Sequence, residues 1–188
     1  MGRIRYGLKN LYYAVATEGA GGVLSYATPV AITGAKSIAL SAAGDSMDEY
    51  ADDVVWYHSD ANQGYTGTLE FEDTADGDSF QAAVLGLTID DDDVVWESGK
   101  DQPKEFALLG QFSLTGGSET GKRFALLRCV ISRPELNGQT KESGITVQTN
   151  TVNLTVMPRV ADDLVKATCD SASAAYATWF SAVPTVAE

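Results

Sequence analysis

The sequence predicts a mainly β fold, a sandwich or barrel of strands with one short flanking helix, and three observations carry that expectation. Residues 106–157 hold two strand-like runs, FALLGQF and GKRFALLRCVIS, then an arm, RPELNGQTKESGITVQTNTVNLTVM, that is polar and becomes strand-like again. Side chains there follow the two-residue period of strands, at Phe106 and Leu108 and through Val147, Thr149, Thr151 and Val152. Turn-forming residues punctuate the chain, with Gly116 and Gly117 marking the break between the first two runs.

Taken in order, Ile4 to Ala16 read as a strand whose phase changes at Lys9 and Asn10, the mark of a bulge or bend. EGAGG (18–22) is a flexible turn, VLSYATPVAIT a short strand broken by Pro29, and AKSIALSAAG a further strand ending at Gly44. Asp45 to Ala51 is polar and reads as a loop, and DVVWYHSD and GYTGTLEFE read as strands joined by the turn-prone DANQG. The best helix candidate is DGDSFQAAVLGL, where Asp76 or Asp78 can cap, Phe80, Val84 and Leu87 share a face, and Gly86 lies near the stop. A short strand between two polar loops follows in 90–106, and Pro103 precedes the Phe106 strand. In ASAAYATWFSAVP the residues Tyr176, Trp179 and Phe180 have helix-like spacing, though the composition also permits a strand; residues 184–188 form a loose tail.

At 188 residues and 44% hydrophobic, the chain is expected to form one domain with a sizeable core. No run reaches the ~18 to 20 apolar residues that span a bilayer, and MGRIRYGLKNLYY lacks an apolar core followed by a cleavage site. A soluble protein without a secretion signal is therefore expected. The net charge of −13 argues against electrostatic binding to nucleic acid, which draws its affinity from Lys and Arg. Cys129, inside an apolar run, is expected to be a buried free thiol; it and Cys169 have no CxxC or metal-site spacing.

GGSETGKR nearly spells a phosphate-binding loop, but Arg123 stands where Ser or Thr should follow Lys122, and a strand follows where a helix is needed; a hairpin tip fits better. The acidic run Asp90 to Asp93, with Asp73, Asp76 and Asp78, lacks the calcium-loop order and reads as a solvated face. His58 is the only histidine, has no nucleophile motif beside it, and reads as structural. Glu70 and Glu72 share one strand face without a pocket signal. No metal, cofactor or enzymatic activity is expected. Tyr50, Trp56, Tyr57, Tyr65 and Phe71 are dense enough for a core, an interface or a sugar-stacking face, with the core placed first.

YADDVVWYHSDANQGYTGTLEF (50–71), DSFQAAVLG, FALLGQF and CVISRPELNGQTKESGITVQTNTVNLTV recur in an order that resembles the major tail protein, the tail tube subunit, of long-tailed siphophages. YGLKNLYYA (6–14) resembles the start of that family, so the resemblance covers almost the whole chain. It implies a tail-tube type of β-sandwich or barrel that oligomerises with itself into rings, most often hexameric, stacked around a tape-measure protein. Tail terminator and distal tail proteins are the further partners implied. The subunit would assemble in the bacterial cytoplasm into a virion tail, without contact to membrane, and genomic DNA would pass through the lumen without specific binding. Long polar loops on a compact sheet need a partner, so 44–53 and 133–143 are the expected inter-subunit arms, with Asp45, Met47, Tyr50, Arg133, Leu136 and Lys141 as contact residues. Asp52, Asp53, Glu70 and Glu72 are candidates for lumen charge, which would repel DNA. An all-β carbohydrate-binding or adhesin module using Trp56, Tyr57 and Tyr65 is the alternative, and a contractile-system inner tube would share the ring logic.

Overall fold

A computed structural model describes residues 4–115, 121–136, 138 and 149–186. Its strands are β1 (Arg5–Glu18), β2 (Leu24–Tyr26), β3 (Val30–Ile32), β4 (Ala35–Ala43), β5 (Ser46–Ala51), β6 (Val54–Asp60) and β7 (Gly64–Glu72). Helix α1 (Ala75–Leu85) follows, then β8 (Thr88–Ile89), β9 (Val95–Trp96), β10 (Phe106–Leu114), β11 (Gly121–Ile131), β12 (Thr149–Val156) and β13 (Lys166–Cys169). The mainly β expectation holds, with α1 as the flanking helix. Among the described residues no helix is long and apolar enough to cross a membrane.

The main sheet is antiparallel and runs β2-β1-β10-β11-β12-β7-β4, with β3 on β1 and β13 on β11. It curls until β4, at one end, approaches β1 near the other. The bend in β1 falls where the phase change placed it: the register slips between Lys9 and Tyr12, and Asn10 has φ 53. β10 and β11 are buried on both faces, which explains FALLG as a continuous apolar run. Phe106 and Leu108 enter the interior of the curl, whereas Ala107 and Leu109 pack outward under Trp179 and Val183.

Helix α1 covers one end of the interior. Phe80 meets Tyr13, Phe71 and Phe106 edge to face, with ring centroids 5.1, 5.8 and 5.5 Å away. The cap is Thr74, whose Oγ1 accepts from the Gly77 amide at 3.1 Å, rather than Asp76 or Asp78, which occupy the first turn. The Thr74 backbone is itself still extended, as a capping position requires. Gly86 closes the helix at φ 76.

The C-terminal aromatic segment is neither of the two regular alternatives but a set of turns with one 3-10 turn at Ala174–Tyr176. Specific contacts override its periodicity. The Arg123 guanidinium lies 3.7 Å from the Tyr176 ring centroid and 4.6 Å from that of Phe180, and donates to the Tyr176 carbonyl. Phe180 stacks on Tyr12 at 4.8 Å, and the Trp179 indole donates to the Phe124 carbonyl at 3.2 Å. Cys129 and Cys169 are buried free thiols, and burial pushes the Cys129 thiol far above its ordinary range.

Candidate functional site

The segment expected to be a loop, Asp45 to Ala51, is instead strand β5, and it pairs with β6 as a hairpin that stands off the main sheet. Two features of the sequence make it so. Asp52 and Asp53 both adopt positive φ, 52° and 61°, between the paired residues Ala51 and Val54, which is the signature of a type I′ hairpin turn. At the root, the pairing of β4 with β7 continues through Gln63 N–H to the Ala43 carbonyl at 3.0 Å and Ala61 N–H to the Asp45 carbonyl at 3.1 Å. β4–β5 and β6–β7 therefore form one long ribbon, bent at Gly44. Gly44 has φ 143, and a Cβ there would stand 1.7 Å from the Ala61 carbonyl oxygen.

At about 3.4 Å per residue, the six residues of β5 carry the hairpin roughly 20 Å out. Almost every residue of β5 and β6 is exposed. Around an acidic tip at Asp52 and Asp53, its outer half carries large apolar side chains: Tyr50, Val54, Val55, Trp56 and Tyr57 are all half or more exposed, Trp56 at 73%. Trp56 is the extra residue of a bulge, so Trp56 and Tyr57 together stand opposite Glu49. The placement of these rings in the core is thereby corrected: of the five clustered aromatics, only Phe71 is fully buried, and Tyr65 is half-buried in the main sheet. A hairpin confined to two strands has no core to bury such rings in.

The root half is polar. His58 bonds the Asp48 carboxylate through Nδ1 and that of Asp60 through Nε2, the latter at 3.1 Å. These bonds, Asp48's first, hold the imidazole pKa above its ordinary value. His58 thus fastens the two strands together.

A second apolar patch escaped the sequence. β8 and β9 pair as a small sheet whose Ile89, Val94, Val95 and Trp96 are exposed. The Asp90 carboxylate organises it, accepting from the Trp96 indole at 2.6 Å, the Val94 amide at 2.9 Å and the Asp92 amide at 3.0 Å, which lowers its pKa. Asp90 is a turn-organising residue, and among the described residues no cluster of His, Cys, Asp and Glu could hold a metal ion. An alternation count over two-residue strands carries no signal, which is why this sheet was legible only as one short strand.

The other candidates separate. Asp45, Met47, Tyr50, Asp52 and Asp53 share the hairpin or its root. Arg133 lies 3.1 Å from Glu97, beside β9, and Leu136 is fully exposed; Lys141 lies outside the described residues, as do Val147, Gly116 and Gly117. Glu70 and Glu72 face away from the core on β7, 3.4 and 3.8 Å from Lys36. Bonds from Thr149 and Ser37 lower the Glu70 pKa. These two carboxylates are partly neutralised and belong to a different element from Asp52 and Asp53. No family model matches the chain, and no curated protein sequence matches it.

Proposed function

We propose that the chain is a structural subunit that assembles with copies of itself, and that its assembly is that of a phage tail tube. One observation carries the reading: a ribbon reaching roughly 20 Å from the sheet exposes five large apolar side chains in its outer half and, among the described elements, makes extensive contacts only between its own two strands. An isolated two-stranded hairpin is marginal in water, and an apolar patch of this kind favours an interface. β4 is laddered on one side only among the described strands, so the part of its other edge that does not approach β1 can be covered by a neighbouring subunit. The tube, its six-fold rings, the tape-measure, terminator and distal tail partners, the virion location and the passage of DNA come from the sequence resemblance. The exposed β8–β9 patch and Arg133 to Leu136 give such a subunit a second contact region.

Replacing residues 46–60 by a two-residue Asn-Gly turn tests this reading. The expected product is a folded monomer by light scattering, under conditions where the unaltered chain forms large particles. Particles of unaltered size from the shortened chain would contradict it.

The carbohydrate-binding alternative draws on the exposure of Trp56 and Tyr57. Its third ring is elsewhere: Tyr65 lies in the main sheet, with the Lys166 ammonium 4.5 Å from its centroid. This reading predicts a monomer whose glycan binding is abolished by Trp56→Ala without unfolding.

A further inference from the structure

The interior of the curled sheet is closed at one end by α1 and open at the other. Tyr65 and Phe112 lie at the ends of β7 and β10 opposite to Phe71 and Phe106, which contact the helix. The open end is a cavity of about 270 Å³ between β4, β7, β10, β11 and β13. Its walls are apolar, with Ile38, Leu40, Phe112, Phe124 and Leu126, and its mouth holds Arg5, Lys122 and Lys166.

Among the described residues three cations and no carboxylate line this cavity, in a chain with 26 acidic and 13 basic residues. The sheet register explains how they escape pairing. Arg5, Lys122 and Lys166 stand across from Leu114, Phe112 and Leu126, all apolar. Among the described residues the Arg5 guanidinium lies 4.5 Å from the Phe112 centroid, and the Lys166 ammonium donates to the Tyr65 hydroxyl at 2.5 Å. An anion at this mouth would meet several cations beside an apolar wall, where a charge-assisted contact is stronger than in open water. The volume sits near the small end of ligand pockets, roughly 300–1,000 Å³.

We propose that this cavity binds a small amphipathic organic anion. The sulfonate, carboxylate or phosphate would lie among Arg5, Lys122 and Lys166, and an aromatic body would lie against Leu40, Phe112 and Phe124. The proposal does not depend on how the chain assembles.

The test is a fluorescence titration of the full chain with 8-anilinonaphthalene-1-sulfonate, repeated with the uncharged N-phenyl-1-naphthylamine. Saturable binding of the sulfonate is expected, weakened at least tenfold by Lys122→Glu with Lys166→Glu and unchanged by Trp56→Ser. The milder Lys122→Gln, checked for folding by circular dichroism, should weaken it severalfold. Equal binding of the uncharged compound, indifference to the lysine substitutions, or loss of binding on Trp56→Ser would each overturn the proposal, the last by placing the dye on the hairpin.

Discussion

His58 joins two carboxylates within the hairpin, both of them on β5 or β6, so its titration reports on the hairpin. Its pKa is raised in the folded state, so the stabilisation from this bridge is fully present below the ordinary histidine pKa. It is lost as pH rises through the raised value. Asp48→Asn removes the acceptor charge from the first of the two bonds, and NMR titration should show the imidazole pKa falling toward its ordinary value. An unchanged pKa would place His58 outside this network. In the core, Phe80→Ala should cost about 3–5 kcal/mol in denaturant unfolding, because three rings lose their common partner. Thr74→Ala should cost about 1 kcal/mol through the lost cap.

At the scale of elements, the hairpin is expected to be separable from the body. Excising residues 46–60 should leave the unfolding midpoint within a few degrees of the original, since none of its side chains enters the core. Gly44→Val should act the other way, leaving every apolar group in place but disrupting the ribbon's root through the clash with Ala61; loss of amide protection confined to 45–61 would show it. The same separability explains what the sequence revealed. β1, β7, β10 and β11 were legible because the core imposes its period or its apolar runs on them. β5 was not, because SMDEYA lies on no core and its strand character comes from a turn of two aspartates at positive φ. VVWY announced a strand but not its exposure, since four consecutive apolar residues suit a buried strand equally well. Arg5, Lys122 and Lys166 are far apart in sequence, and only the register of β1, β11 and β13 brings them to one cavity.

For the whole molecule, the surplus of carboxylates is uneven: a basic mouth at one end of the curled sheet, an acidic hairpin tip, and Glu70 and Glu72 offset by Lys36. An acidic lumen would therefore have to draw on Asp52 and Asp53 at the tip more than on β7. The hairpin, the small β8–β9 sheet and the free edge of β4 are the surfaces through which we propose that copies of the chain meet. Negative-stain electron microscopy of the purified chain at high concentration, alone and with the tape-measure protein that the proposed assembly requires, tests that claim most directly. The account predicts rings or hollow tubes that disappear when residues 46–60 are removed, and a monodisperse monomer from the intact chain under every condition would contradict it.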